Sequence, residues 1–126
     1  MKIETTILKN LLQNEDYARK VLPFLNDEYF TENSDKIIYN QINNFILKYN
    51  SLPNKEALNI ELSEAKITEE DFKESVNLIN EIGKDDQEFS DLSWLLDTTE
   101  KFCQDKAIYN AVVESISILD NPKSTT

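Results

Sequence analysis

SDKIIYNQINNFILKY, residues 34–49, is the stretch whose reading decides the fold. It lies inside a longer organising segment, Asp27 to Leu62. Ile37, Ile38, Tyr39, Ile42, Phe45, Ile46 and Tyr49 recur at helical spacing over a broad face. Asp35, Lys36, Asn40, Gln41, Asn43, Asn44 and Lys48 cover a narrower back. So wide an apolar stripe predicts a central helix with packed elements on two sides. Ile38, Ile42, Phe45 and Ile46 are its expected core residues, each contributing roughly 1.5–3 kcal/mol when fully buried. Asn33 or Ser34 is placed to cap the start, with Asp35 in the first turn. Asn50-Ser51-Leu52-Pro53 stops the helix, because a residue before proline is driven out of the helical region. Asn54 then caps a partner helix carrying Ala57, Leu58, Ile60 and Leu62.

Working outward, the preceding residues give two short helices. Ile3, Ile7, Leu8, Leu11 and Leu12 form the face of the first. Asn14-Glu15-Asp16 opens a second with Tyr17, Ala18, Val21 and Leu22, ended by Pro23. Phe24 and Leu25 are expected to bury in the turn that follows. Asp27-Glu28-Tyr29-Phe30 reads as a short helical turn setting two aromatics against the core. Beyond the central pair, Thr68-Glu69-Glu70-Asp71 is an N-cap with acids in the first turn. It opens a helix with Phe72, Val76, Leu78, Ile79 and Ile82 on its apolar face. Gly83, the one glycine, stands where a left-handed C-terminal residue is expected.

Ser90 or Asp91 caps the last element, which meets no breaker before Asn121-Pro122. That predicts a helix of about 30 residues, or ~45 Å. Leu95, Thr99, Phe102, Lys106, Tyr109, Val113 and Ile116 alternate at spacings of four and three, a heptad seam. Leu92, Leu96, Cys103, Ala107 and Val112 widen it. Trp94 is expected as a core anchor against the globular part, with an interface role as the alternative. The first half of this helix should pack on the rest. The second half, Tyr109 to Leu119, has little sequence left to cover it, and an uncovered apolar stripe signals a partner. The expected architecture is all-α: a compact multi-helix head over 1–89, a long helix over 90–120 and a polar tail over 121–126.

Composition agrees with that class and removes several functions. A chain of 126 residues with one Gly and three Pro lacks the turn residues of a β-rich fold. With no His and one Cys, histidine acid–base catalysis, His metal ligation and an internal disulfide are excluded. No G-x-x-x-x-G-K-[ST] stretch occurs. Asp85, Asp86, Glu88 and Asp91 lack the glycine and terminal glutamate of a calcium loop, leaving a solvated acidic loop. Cys103, in the middle of a helix, reads as a small core residue. There is no signal peptide and no run of transmembrane length. The net charge of −11 and the single arginine, Arg19, make the chain a poor stand-alone binder of nucleic acid and suit solubility or a basic protein partner. Nine acids against three lysines between Glu64 and Glu88 make that face the most acidic. Nothing in the chain assembles a catalytic constellation, so no cofactor is expected on it.

Several short stretches, taken together and in order, carry a family resemblance. They are Tyr17-Ala-Arg-Lys-Val-Leu-Pro-Phe-Leu25, Asp27-Glu-Tyr-Phe30, Tyr49-Asn-Ser-Leu-Pro53 and Glu56-Ala-Leu-Asn59, then Ser93-Trp-Leu95, Thr99-Glu-Lys101 and Ala107-Ile-Tyr-Asn-Ala111. The set resembles the amino-terminal region of the T4-type bacteriophage replicative helicases. More loosely it is similar to the amino-terminal domain of DnaB-like helicases. The resemblance implies a larger hexameric, ATP-dependent 5′-to-3′ DNA helicase, with ATP and Mg held by a RecA-like motor outside this chain. It implies a helical head leading into a helical hairpin whose second half is absent here. Such heads and hairpins form a collar and recruit primase or a loader, in the cytoplasm of the infected bacterium. The histidine common near the start of the central helix in the cellular pattern is missing from this chain. Tyr109, Val113, Ile116 and Leu119 are the expected self-association contacts. The rival expectation is a small acidic phage protein that mimics DNA or inhibits a host enzyme.

Overall fold

The computed structural model describes residues 2–84 and 91–120, with side chains described as far as 118. Among these residues there are six α-helices and no strands: α1 (Ile3–Gln13), α2 (Glu15–Val21), α3 (Asn33–Tyr49), α4 (Lys55–Ser63), α5 (Glu69–Ile82) and α6 (Leu92–Asp120). A 3-10 turn, Asp27–Tyr29, separates α2 from α3. The fold is all-α, a helical head with one long C-terminal helix.

Local chemistry starts most of these elements. A side-chain oxygen accepts from the backbone N–H two or three residues on at Asn14 (Tyr17), Asn26 (Glu28), Asn54 (Ala57), Thr68 (Asp71) and Asp91 (Trp94). The start of α3 differs from expectation. Asn33 is already helical, Glu32 is the flanking residue, and no side chain caps it. The last turn of α3 closes on Asn50, which takes the left-handed conformation at φ 55°. Asparagine tolerates that region, and here it is held from outside. Arg19 donates to the Asn50 carbonyl at 3.2 Å and to its Oδ1 at 3.3 Å, while pairing with Glu15 at 2.8 Å.

Gly83 is not left-handed. Its φ is −85°, and the reason for glycine is proximity. A Cβ there would stand 2.8 Å from the Ile79 carbonyl and 3.1 Å from Lys55 Cδ. The sequence signal was right about position and wrong about cause.

α3 packs against α1, α4, α5 and the 3-10 turn, so the broad stripe is covered on more than one side. Ile38, Ile42, Ile7, Leu8, Leu11 and Ile79 are fully buried along these contacts. Ile46 is half-buried against the core. Phe45 is outside it: it stands at the edge of the face on which Ile38, Tyr39, Ile42 and Ile46 bury, and it packs on Tyr49 of the same helix, centroids 4.7 Å apart. Phe30 stacks on Tyr39 at 5.4 Å and meets Phe102 of α6 at 5.8 Å, joining head and long helix through one aromatic cluster. Leu25 buries as expected, but Phe24 is 71% exposed, because adjacent residues of the turn point opposite ways.

Trp94 also departs from expectation. It is 53% exposed and is no core anchor. Leu95, Thr99, Phe102 and Cys103 are the buried line of α6. Trp94 sits one residue, about 100° of helical rotation, from Leu95, on the side away from that line.

Candidate interaction surface on the long helix

The attached half of α6 is fixed by a polar tie as well as by packing. Thr99 Oγ1 donates to the Leu95 carbonyl at 2.7 Å, which leaves it accepting from the Tyr17 hydroxyl at 2.6 Å. Both groups are buried. Burial pushes the Tyr17 phenol up to about 12, partly offset by the hydrogen bond with Thr99. Burial likewise raises Cys103, so that thiol is held protonated and packs as a small apolar group.

Beyond Cys103 the helix leaves the head. Lys106 is half-buried, with its ammonium 5.9 Å from both the Phe102 and Tyr109 ring centres. Asn110 Nδ2 donates to the Glu28 carbonyl at 3.1 Å, the furthest described hydrogen bond from α6 to the head. Residues 111–118 are all exposed.

Tyr109, Val113 and Ile116 are 63%, 47% and 53% exposed, on one face of the projecting half. The Leu119 side chain lies outside the described ones. Ile108 and Val112 are also exposed and flank the same face, which then spans about 140° of the helix. Ile108 was missed by the heptad reading, since it falls off the seam; its spacing of four from Val112 and eight from Ile116 was the available signal. Measured at 100° per residue, this face is turned roughly 90° from the buried line Leu95–Cys103. A seven-residue repeat drifts about 20° per heptad on a straight helix, and Ile108 and Val112 widen the turn further. The positions that continue the buried line are Lys106, Asn110, Val113 and Ser117, polar except for Val113. The projecting apolar face is therefore centred to one side of the line packed on the head and meets that line at Val113.

This half of the helix is poor in charge. Between Ala107 and Ile118 the only charged residue is Glu114, in a chain of net charge −11. Among the described residues no three His, Cys, Asp or Glu side chains converge to hold a metal ion, and no helix is long and apolar enough to cross a membrane. The Asp85, Asp86 and Glu88 part of the acidic segment lies outside the described residues.

No family model matches this chain. Over 115 residues, 91% of its length, it is 32% identical to the DnaB-like replicative helicase of the Enterobacteria phage T4. The chain spans 24% of the length of that relative. The resemblance in the short collinear stretches thus extends through nearly all of the chain, head and long helix together.

Proposed function

We propose, starting from that likeness to a phage DnaB-like replicative helicase, that this chain acts in DNA replication as a non-catalytic assembly and recruitment domain. The parent would be a hexameric, ATP-dependent helicase whose motor lies in sequence not contained here. The domain supports a collar by helix-to-helix association and offers its head to primase or a loader. The observation that carries this reading is the projecting half of α6, where Tyr109, Val112, Val113 and Ile116 stand exposed on one face. An apolar helical face of this kind associates by laying its side chains into a facing helix. Its near-neutral charge lets copies meet there while their acidic bodies stay apart. The acidic head disfavours direct binding to DNA and favours a basic protein partner.

Size-exclusion chromatography with light scattering tests the assembly role. The wild type should show mass above the monomer, rising with concentration, and Val113→Glu should return it to monomer. Far-UV circular dichroism should be unchanged, because Val113 is exposed on the projecting half of the helix. A monomeric wild type, or an associated V113E, removes this function from α6.

A further inference from the structure

A second apolar surface lies on the head itself, away from the projecting face. α2, the turn after it and α6 enclose a groove of about 530 Å³. Thr99, Cys103 and Ala107 make its floor at four-residue spacing along α6. Val21, Phe24 and Tyr29 make the opposite wall. From Leu96 to Ala107 the groove runs eleven residues of α6, about 16 Å or three helical turns.

Its shape selects the occupant. Small residues in an i, i+4 row leave a trough between ridges, the relief into which the side-chain ridge of another helix settles. Phe24, 71% exposed on the rim, is the residue type that anchors interfaces when a partner covers it. The charge selects further. Lys20 and Glu100, one of each sign, line the groove, and within four residues of its lining six acids, Asp16 and Asp97 among them, stand against Arg19, Lys101 and Lys106. We infer that this groove receives an amphipathic helix of a basic protein partner, its apolar side chains on the Thr99–Cys103–Ala107 floor and its lysines or arginines toward the acidic rim. The inference rests on the recruiting role proposed above and names where and what the domain recruits.

The test uses the whole chain, labelled with ¹⁵N, and a fluorescein-tagged three-turn peptide with leucines on one face and lysines flanking it. A twin peptide with glutamates in place of the lysines is the control. The lysine peptide should shift the amides of Lys20, Phe24, Gln104 and Ala107, and bind at least tenfold tighter than its twin by anisotropy. Phe24→Ala should weaken it at least tenfold. Ala107→Trp, which fills one end of the groove at an exposed helical position, should do the same. Circular dichroism controls for folding, and Phe24→Ala alone decides if the tryptophan variant misfolds. Shifts confined to residues 108–118, equal affinity for both peptides, or no binding at millimolar peptide would overturn the inference. So would groove amides that move with protein concentration alone, since the occupant would then be a second copy. A failure here with the V113E mass change intact removes the groove and leaves the assembly role standing.

Discussion

Asp35 sits 5% exposed in the first turn of α3, in a cleft shared with Lys2, Glu32, Glu74 and Glu81. Burial raises its pKa above the usual carboxylate range; Lys2 works against this, and Glu4, Glu32 and Glu81 add to it. A folded-state pKa above the unfolded one means ionisation costs the native state. The penalty is absent below the unfolded pKa, grows through the window between the two values and is complete above the folded one. Asp35→Asn should therefore be at least as stable as wild type at pH 7, and should flatten the fall of Tm as pH rises through the carboxylate range. Calorimetry across pH 3–7 reads this; a variant less stable at pH 7 would show that the position near the helix start outweighs burial. Tyr17 gives a second residue-scale test. Tyr17→Phe removes its hydrogen bond to Thr99 while Thr99 keeps Leu95, so the loss should be about 0.5–1.5 kcal/mol in urea unfolding. In the wild type, with a phenol raised to about 12, the stability this group contributes is complete below the ordinary tyrosine range and disappears as pH climbs from about 10 to 12. A tyrosine that titrates last in alkaline absorbance, and is missing in the variant, identifies it.

The junction of α4 and α5 is where an element-level prediction is sharpest. Replacing a right-handed glycine by alanine normally stabilises by about 0.4–1 kcal/mol through the unfolded chain. At Gly83 the backbone permits alanine, but the new methyl would meet the Ile79 carbonyl at 2.8 Å and Lys55 Cδ at 3.1 Å. The lysine stem moves; the carbonyl is backbone. Gly83→Ala should cost roughly 1–3 kcal/mol, the range for overpacking, with little relief from adding Lys55→Ala. A stabilised G83A would mean that α5 frays there freely. Trp94 makes the complementary case on α6. Trp94→Ala should change stability by no more than about 0.5 kcal/mol, as for an exposed substitution away from the core, whereas Phe30→Ala should cost about 3–5 kcal/mol. Both are read by the same urea titration.

For the whole molecule, the division is between a head built around a buried apolar core and a projecting half-helix that has none. α3 is packed on several sides, and among the described residues α6 has none fully buried beyond Cys103, its last tie to the head being Asn110. The quarter-turn between the buried and free faces of α6 sets how bodies would be arranged around a shared helical contact: a partner on the free face comes in beside the head. Raising salt should leave that association intact or strengthen it, since the contact is apolar and the acidic bodies repel less when screened. Sedimentation at 0.05 and 0.5 M NaCl measures it, and dissociation at the higher salt would point to an ion-paired contact instead.

Helical periodicity and cap residues determined, from sequence alone, the all-α class, the central place of α3 and the uncovered half of α6. These are local properties: spacing along one helix and a side chain three residues from an N–H. Tertiary structure decided what depends on where neighbours end. Phe45 falls at the edge of the buried face of α3, Phe24 turns outward beside a buried Leu25, and Gly83 is held by the close approach of the Ile79 carbonyl and, secondarily, of the Lys55 stem. The exposure of Trp94 was legible, since the seam through Leu95, Thr99 and Phe102 leaves it on the far side. The groove between α2 and α6 could not be read in advance, because it exists only once two distant segments are held together by Tyr17 and Thr99.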